Sequence, residues 1–215
     1  MTDKKTNPLL DIIKVWDYLP LITIIFVVLA IVGALAGSKA FAVLMVFMIL
    51  GIITRMPAAR SPFDLSTVKV SAVLLTFIDF RIAAIFAILT WWIARQWSPM
   101  EEMTNTIKWS LSVALPALIA PLFIGWAHNN LVTYTIHFTL VRFVFLIVVL
   151  SPIFRPATFF NDAMVDVTEF FFSIIYNSVL AMILGPIIFS YVGVTGWNIG
   201  GLAQVIGFFT GHWGY

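Results

Sequence analysis

The sequence predicts an all-α, polytopic transmembrane helix bundle, and three observations predict it. The 215 residues are 61% hydrophobic and only 10% charged, against roughly 25% charged in an average soluble chain, so too little polar surface exists to keep a globule in water. Apolar runs approaching or reaching the roughly 20 residues that cross a bilayer recur along the chain. The loops between them are too short to fold separately, which makes residues 1–215 one integral membrane domain. The expected spans lie near 19–37, 40–54, 78–94, 109–127, 131–153 and 165–192.

Residues 7–19, NPLLDIIKVWDYL, place Asn7 as a cap, Pro8 at the first helical position, and Leu9, Leu10, Ile13 and Trp16 at helical spacing. Asp11, Lys14 and Asp17 fall largely on the other side, so an amphipathic helix lying at the membrane surface is expected. Trp16 and Tyr18 are its interfacial anchors, and the chain turns into the membrane at Pro20. The first span ends in Gly33-x-x-x-Gly37, a spacing that lets a neighbouring helix approach closely. Lys39 marks a tight turn into the short second span.

RMPAARSPFD, residues 55–64, is loop-like, with two prolines, two arginines and an acid. The 31 residues after it exceed one perpendicular helix and fall short of a comfortable hairpin. An interfacial or re-entrant piece over 65–77 is expected, then a third span with Asp79 and Arg81 at its start and Trp91 and Trp92 as an aromatic belt at its end. RQWSPMEEMTNTIK forms a polar loop; Pro116 and Pro121 predict a kink in the fourth span, and His128, Asn129 and Asn130 a turn into the fifth. Gly185 and Pro186 interrupt the sixth span, and the glycine-broken tail over 199–211 suits an element short of a full crossing.

Orientation follows from basic residues on each side. With the N-terminus on the cytoplasmic or matrix side, that side receives Lys4, Lys5, Lys14, Arg55, Arg60, Lys69 and Arg81, against Lys39, Arg95, Lys108 and Arg155. An inner membrane of a bacterium or organelle is the expected location. The 12 basic and 10 acidic residues are scattered, which speaks against nucleic acid as a partner. Cysteine is absent, excluding disulfides and thiolate metal sites.

Candidate chemistry centres on Arg142, in the middle of the fifth span, because an ionisable residue inside a membrane marks a functional site by default. Thr135 and Thr139 share its face, so it points into a polar seam, and a buried Arg needs a partner. Glu169 and Asp79 are the candidates, and the ion pair either lines a pathway or pins helices or subunits together. On the sixth span Asp162, Asp166, Glu169, Ser173 and Asn177 step by 4, 3, 4 and 4 residues and so form one polar stripe. Asp162 and Asp166 read as the solvated first turn of a helix, favoured by its dipole. Glu169, Ser173 and Asn177 read equally as pathway lining or helix contacts.

His137 lies on another face from Arg142 and is the one histidine well inside a span. Haem ligation would then need a histidine from a partner subunit. No zinc or copper spacing exists, so no metal or other cofactor is expected. Phosphate-binding loops, hydrolase elbows and metalloprotease motifs are missing, as is a lysine within a confident span. One short stretch, Arg60-Ser61-Pro62-Phe63-Asp64-Leu65, resembles the R-x-P-F-D-L loop of the quinone-chamber membrane subunit of complex I and related hydrogenases. It covers six of 215 residues and lacks that family's following acid-rich loop, so no site residues carry over. The leading expectation is a non-enzymatic subunit of a larger inner-membrane complex of secretion, conjugation or respiratory type, embedded in lipid among other membrane subunits. The alternative is a small transporter or channel with an Arg142–Glu169 pathway.

Overall fold

The computed structural model describes residues 8–58, 66–96 and 103–211, with side chains described at all of these except 8–19, 56–58, 96, 158, 161 and 162. The described residues are helical almost throughout, without a strand. Among the described residues nine α-helices follow in order: α1 (Pro8–Leu35), α2 (Lys39–Ala58), α3 (Val68–Thr76), α4 (Phe80–Gln96), α5 (Met103–Phe123), α6 (Leu131–Val144), the single turn α7 (Ser151–Phe154), α8 (Phe159–Val192) and α9 (Leu202–Thr210). A π-helical stretch, Phe145–Leu150, joins α6 to α7 without a break. Three segments, 103–127, 131–154 and 163–192, are long and apolar enough to cross a membrane.

Several boundaries differ from expectation. Residues 8–35 form one helix with Pro20 inside it, not a surface helix and a separate span; the anchors Trp16 and Tyr18 lie outside the described side chains. Proline removes one helical hydrogen bond, and the long apolar run beyond Pro20 supports the helix past that loss. α8 passes Gly185 and Pro186 uninterrupted, and Gly185 gives room for Leu131 of α6 at a close crossing. The Gly33–Gly37 pair divides its work. Gly33 lies against Phe41 of α2, whereas Gly37 adopts a left-handed φ of 77° in the turn between the helices.

The direction of each helix can be read from its contacts. Lys39 lies over the Tyr191 ring at 5.7 Å, Phe77 meets Phe189 and Trp197 edge-on at 4.9 and 4.6 Å, and Asn130 pairs with Asn198. These contacts gather the turns at 36–38, 77–79, 128–130 and 193–201 at one end of the bundle, taken as the upper end. Toward the lower end, Thr54 accepts the backbone N–H of Thr67 at 2.9 Å and Arg55 stacks over Trp91 at 5.0 Å. Trp91 is fully buried in that contact, so it does not form the expected lipid-facing belt.

α3 is the decisive element. All nine of its residues are buried, and it folds back on α4 as an antiparallel hairpin through the turn at 77–79. Of the two expectations for 65–77, an interfacial helix would expose a polar face, which α3 lacks, whereas a re-entrant piece would be buried as α3 is. Small residues allow this depth of packing: Ala83, Ala84 and Ala87 of α4 and Ala114, Ala117 and Ala120 of α5 are all buried where those two helices meet. α9 descends from the upper end against α6 and α8, with Val205 among Val132, Ile136, Phe170 and Ile174 and the Phe208 ring 6.3 Å from that of Phe170. α6 begins under the same loop: its first N–H groups, Leu131 and Val132, donate to the carbonyls of Asn198 and Ile199, and Asn130 Oδ1 caps Thr133 N–H at 3.0 Å.

Candidate functional site: a buried charge network on α8

The polar stripe of α8 supplies acids, and three other helices supply the bases. Lys69 of α3 donates to Glu169 Oε1 at 2.5 Å and to Ser173 Oγ at 3.0 Å. Arg142 of α6 donates through Nη2 to the same Glu169 Oε1 at 3.1 Å. Lys108 of α5 stands 3.7 Å from Asp166 Oδ2, and Ser151 Oγ reaches that oxygen at 3.5 Å. Trp109 of α5 lies between the cations, its ring 5.0 Å from Lys108 Nζ and 5.2 Å from the Arg142 guanidinium carbon. None of the five charged residues is more than 4% exposed.

Local structure explains each position. Asp166, Glu169, Ser173 and Asn177 recur at helical spacing and so face the same neighbours from successive turns of α8. Thr135 and Thr139 return their hydroxyls to the carbonyls of Leu131 and Thr135, each at 2.8 Å, which satisfies them inside α6 and leaves the carboxylate to Arg142. Ser151 follows Arg142 by nine residues, which an ideal α-helix would turn to the opposite side. The wider π turns of Phe145–Leu150 reduce that rotation, and Ser151 comes back toward α8.

The structure brings together Arg142, Glu169 and Ser173, with Asp166 and Asn177 on the adjoining turns. Asp166 is buried, not solvated as expected, because α8 starts at Phe159 and places Asp166 about two turns inside the helix. Asp162 also belongs to α8, but its side chain lies outside the described residues. Asp79 does not join Arg142. It sits in the upper turn before α4, where its Oδ1 accepts the Arg81 N–H at 2.8 Å. That turn adjoins Tyr134 through the Thr76 hydroxyl, eight residues, or about 12 Å of helix rise, from Arg142.

His137 is half-buried on another side of α6, and His128 is exposed in the left-handed turn before it; His212 lies outside the described residues. Among the described residues no three of His, Asp and Glu converge as a metal centre would require. The residues that sequence reasoning missed are Lys69, assigned to an interfacial or re-entrant piece, and Lys108, assigned to a polar loop. The readable signal was their setting: VKVSAVLL and TIKWSLSV embed each lysine in apolar and small hydroxyl residues, not in a polar loop. The resembling hexapeptide at 60–65 lies outside the described residues. In comparisons with known proteins, no family model matched the chain, and no curated protein or solved structure matched it.

Proposed function

We propose that this chain is a non-enzymatic integral membrane protein that passes a small cation or proton through its helix bundle along the charged face of α8. The observation that carries the reading is the enclosed network in which Lys69 and Arg142 share one oxygen of Glu169 amid apolar helices. Ionisable side chains are costly inside a membrane, and paired acids and bases lining a bundle interior mark ion and proton paths. The turns support full-length crossings by α1, α2, α4, α5, α6–α7 and α8, with the half-length α3 returning the chain to the upper end between α2 and α4, and α9 as a second half-length helix. Broken helices beside a buried polar site are the arrangement transporters use to hold their cargo. Purified chain in proteoliposomes should carry an ion flux that Glu169→Gln and Arg142→Gln abolish; unchanged flux in both variants would refute the pathway.

Residence in a larger inner-membrane assembly is the second reading, and α1 favours it. This helix packs chiefly on α2 and exposes Leu21, Ile24, Ile31, Val32 and Leu35 over much of its circumference. Such a peripheral apolar helix suits contact with other transmembrane helices as well as lipid. Isolation in mild detergent should then recover stoichiometric partners, and a homogeneous preparation of this chain alone would oppose it.

Orientation also enters as a proposal. Because the half-length α3 carries the chain to the upper turn, Arg81 joins Lys39 at the upper end, while Arg95 and Arg155 join Arg55 at the lower. Lys14 belongs to the first turns of α1, which starts on the lower side. Basic residues concentrate there, which supports a cytoplasmic or matrix-side N-terminus.

A further inference from the structure

Above Glu169 the α8 stripe continues into a region with no charge. Ser173 accepts from Lys69 and keeps its own hydroxyl proton to donate upward. One turn on, Asn177 is 1% exposed, yet neither its amide nitrogen nor its carbonyl oxygen has a hydrogen-bond partner in the protein. A buried amide of this kind is strongly unfavourable unless something polar meets it. The next polar pair along the bundle is Tyr134 with Thr76. The Thr76 hydroxyl donates to the Val73 carbonyl at 2.6 Å, so the 2.8 Å contact is donated by the Tyr134 hydroxyl. Leu131 faces Gly185 and Arg142 faces Glu169, so Tyr134 stands near the level of Ala181, about one turn, or ~6 Å, above Asn177.

Resting on the translocation reading, we infer that Asn177 holds water between Ser173 and the Tyr134–Thr76 pair, and that the cargo of the site is the proton. The Asn177 amide offers two donors and an acceptor, and Ser173 adds a donor, which meets the two to four partners a buried water takes. Each water in such a file accepts one proton and releases another, so Asn177 gains and loses none. A metal cation would need a shell of oxygen ligands while competing with Lys69 and Arg142 for Glu169 Oε1, whereas a proton moves by exchange along hydrogen bonds and needs no such shell. Ser173, Asn177 and Tyr134 thus extend the path from the charged centre toward the upper end.

The test uses the full chain in liposomes with an internal pH dye and an imposed potential. Asn177→Leu preserves side-chain size and removes the polar groups, and its proton flux should fall about tenfold, the rate equivalent of one lost hydrogen bond. Asn177→Ser should recover flux, separating lost chemistry from misfolding. Flux abolished by Glu169→Gln but unchanged in Asn177→Leu would overturn the water file and leave translocation standing; flux indifferent to both would overturn the translocation reading itself. Tracer sodium or rubidium crossing without proton movement would overturn the proton as cargo. Independently of flux, water-edited solid-state NMR should show magnetisation passing from water to the Asn177 side-chain amide. No transfer would overturn the inference.

Discussion

Replacing Glu169 by glutamine tests the centre most directly, because one atom, Oε1, takes both Lys69 and Arg142. Glutamine keeps the size of the side chain and removes its charge. At an effective dielectric near 20, unit charges at such distances attract by roughly 5 kcal/mol or more before desolvation is subtracted. Removing one partner from a buried ion pair typically costs about 3–5 kcal/mol, since the charge left behind is unpaired. Here two cations lose their shared partner, so the loss should fall at or above that range. For a chain of this length, at about 2–4 °C per kcal/mol, Tm should drop by roughly 6–20 °C. Thermal unfolding in detergent, followed by circular dichroism, reads the shift. Adding Lys69→Met removes one of the stranded cations, so the double variant should be more stable than Glu169→Gln alone. A single variant within a degree or two of the parent, or a double variant that loses both increments in full, would refute the network.

Arg142→Lys should behave as a disruptive change, because an ammonium cannot stack its plane over Trp109 while reaching Glu169; a Tm loss comparable to Glu169→Gln is expected, and parent-like unfolding would show that charge alone suffices. Tyr134→Phe removes only the hydroxyl that donates to Thr76, so a loss of about 0.5–1.5 kcal/mol is expected in denaturant unfolding, and a larger one would mean that the ring packing had also changed. Gly185→Val puts a branched side chain onto Leu131, which is fully buried, and should cost about 1–3 kcal/mol by overpacking; an unchanged Tm would place α6 and α8 farther apart. The chain has no cysteine, so single-cysteine labelling in intact vesicles is clean: Lys39→Cys and Arg81→Cys should label from one side, and Arg95→Cys and Arg155→Cys from the other. Arg81→Cys labelling with the Arg95 side would refute the α3–α4 hairpin as a crossing pair.

The helical class was legible from composition, and the Arg142–Glu169 contact from two separate patterns: a charge that shares its helix face with threonines, and an acid on a five-residue polar stripe. Both patterns are periodic within one helix, which is what a sequence displays directly. Lys69 and Lys108 were not legible because a lysine near a helix end reads equally as a solvated anchor; only tertiary packing decides whether its amine meets water or a carboxylate. The depth of Asp166 was missed for a similar reason. It depended on where α8 begins, and helix starts are set by the chain before them as much as by the apolar run. The π-helical stretch leaves no periodic mark at all, although it turns Ser151 toward Asp166.

The short length of α3 accounts for several of these outcomes together. Nine residues are too few to count as a span from hydropathy, so the expected topology treated 65–77 as an interfacial or re-entrant piece and divided Arg81, Arg95 and Arg155 accordingly. As a buried half-helix, α3 instead changes the end at which the following turn lies, and it carries Lys69 inward to Glu169. The acids then all belong to α8, while each base belongs to a different helix. Because Lys69 and Arg142 bond the same oxygen, any event that neutralises Glu169 loosens α3 and α6 from α8 at once. Lys108 and Asp166 form a separate pair three residues earlier on α8 and would hold α5 in place meanwhile. The network therefore couples the charge state of one carboxylate to the packing of two helices, which is the coupling that a gated path requires and that a static fastening of four helices does not.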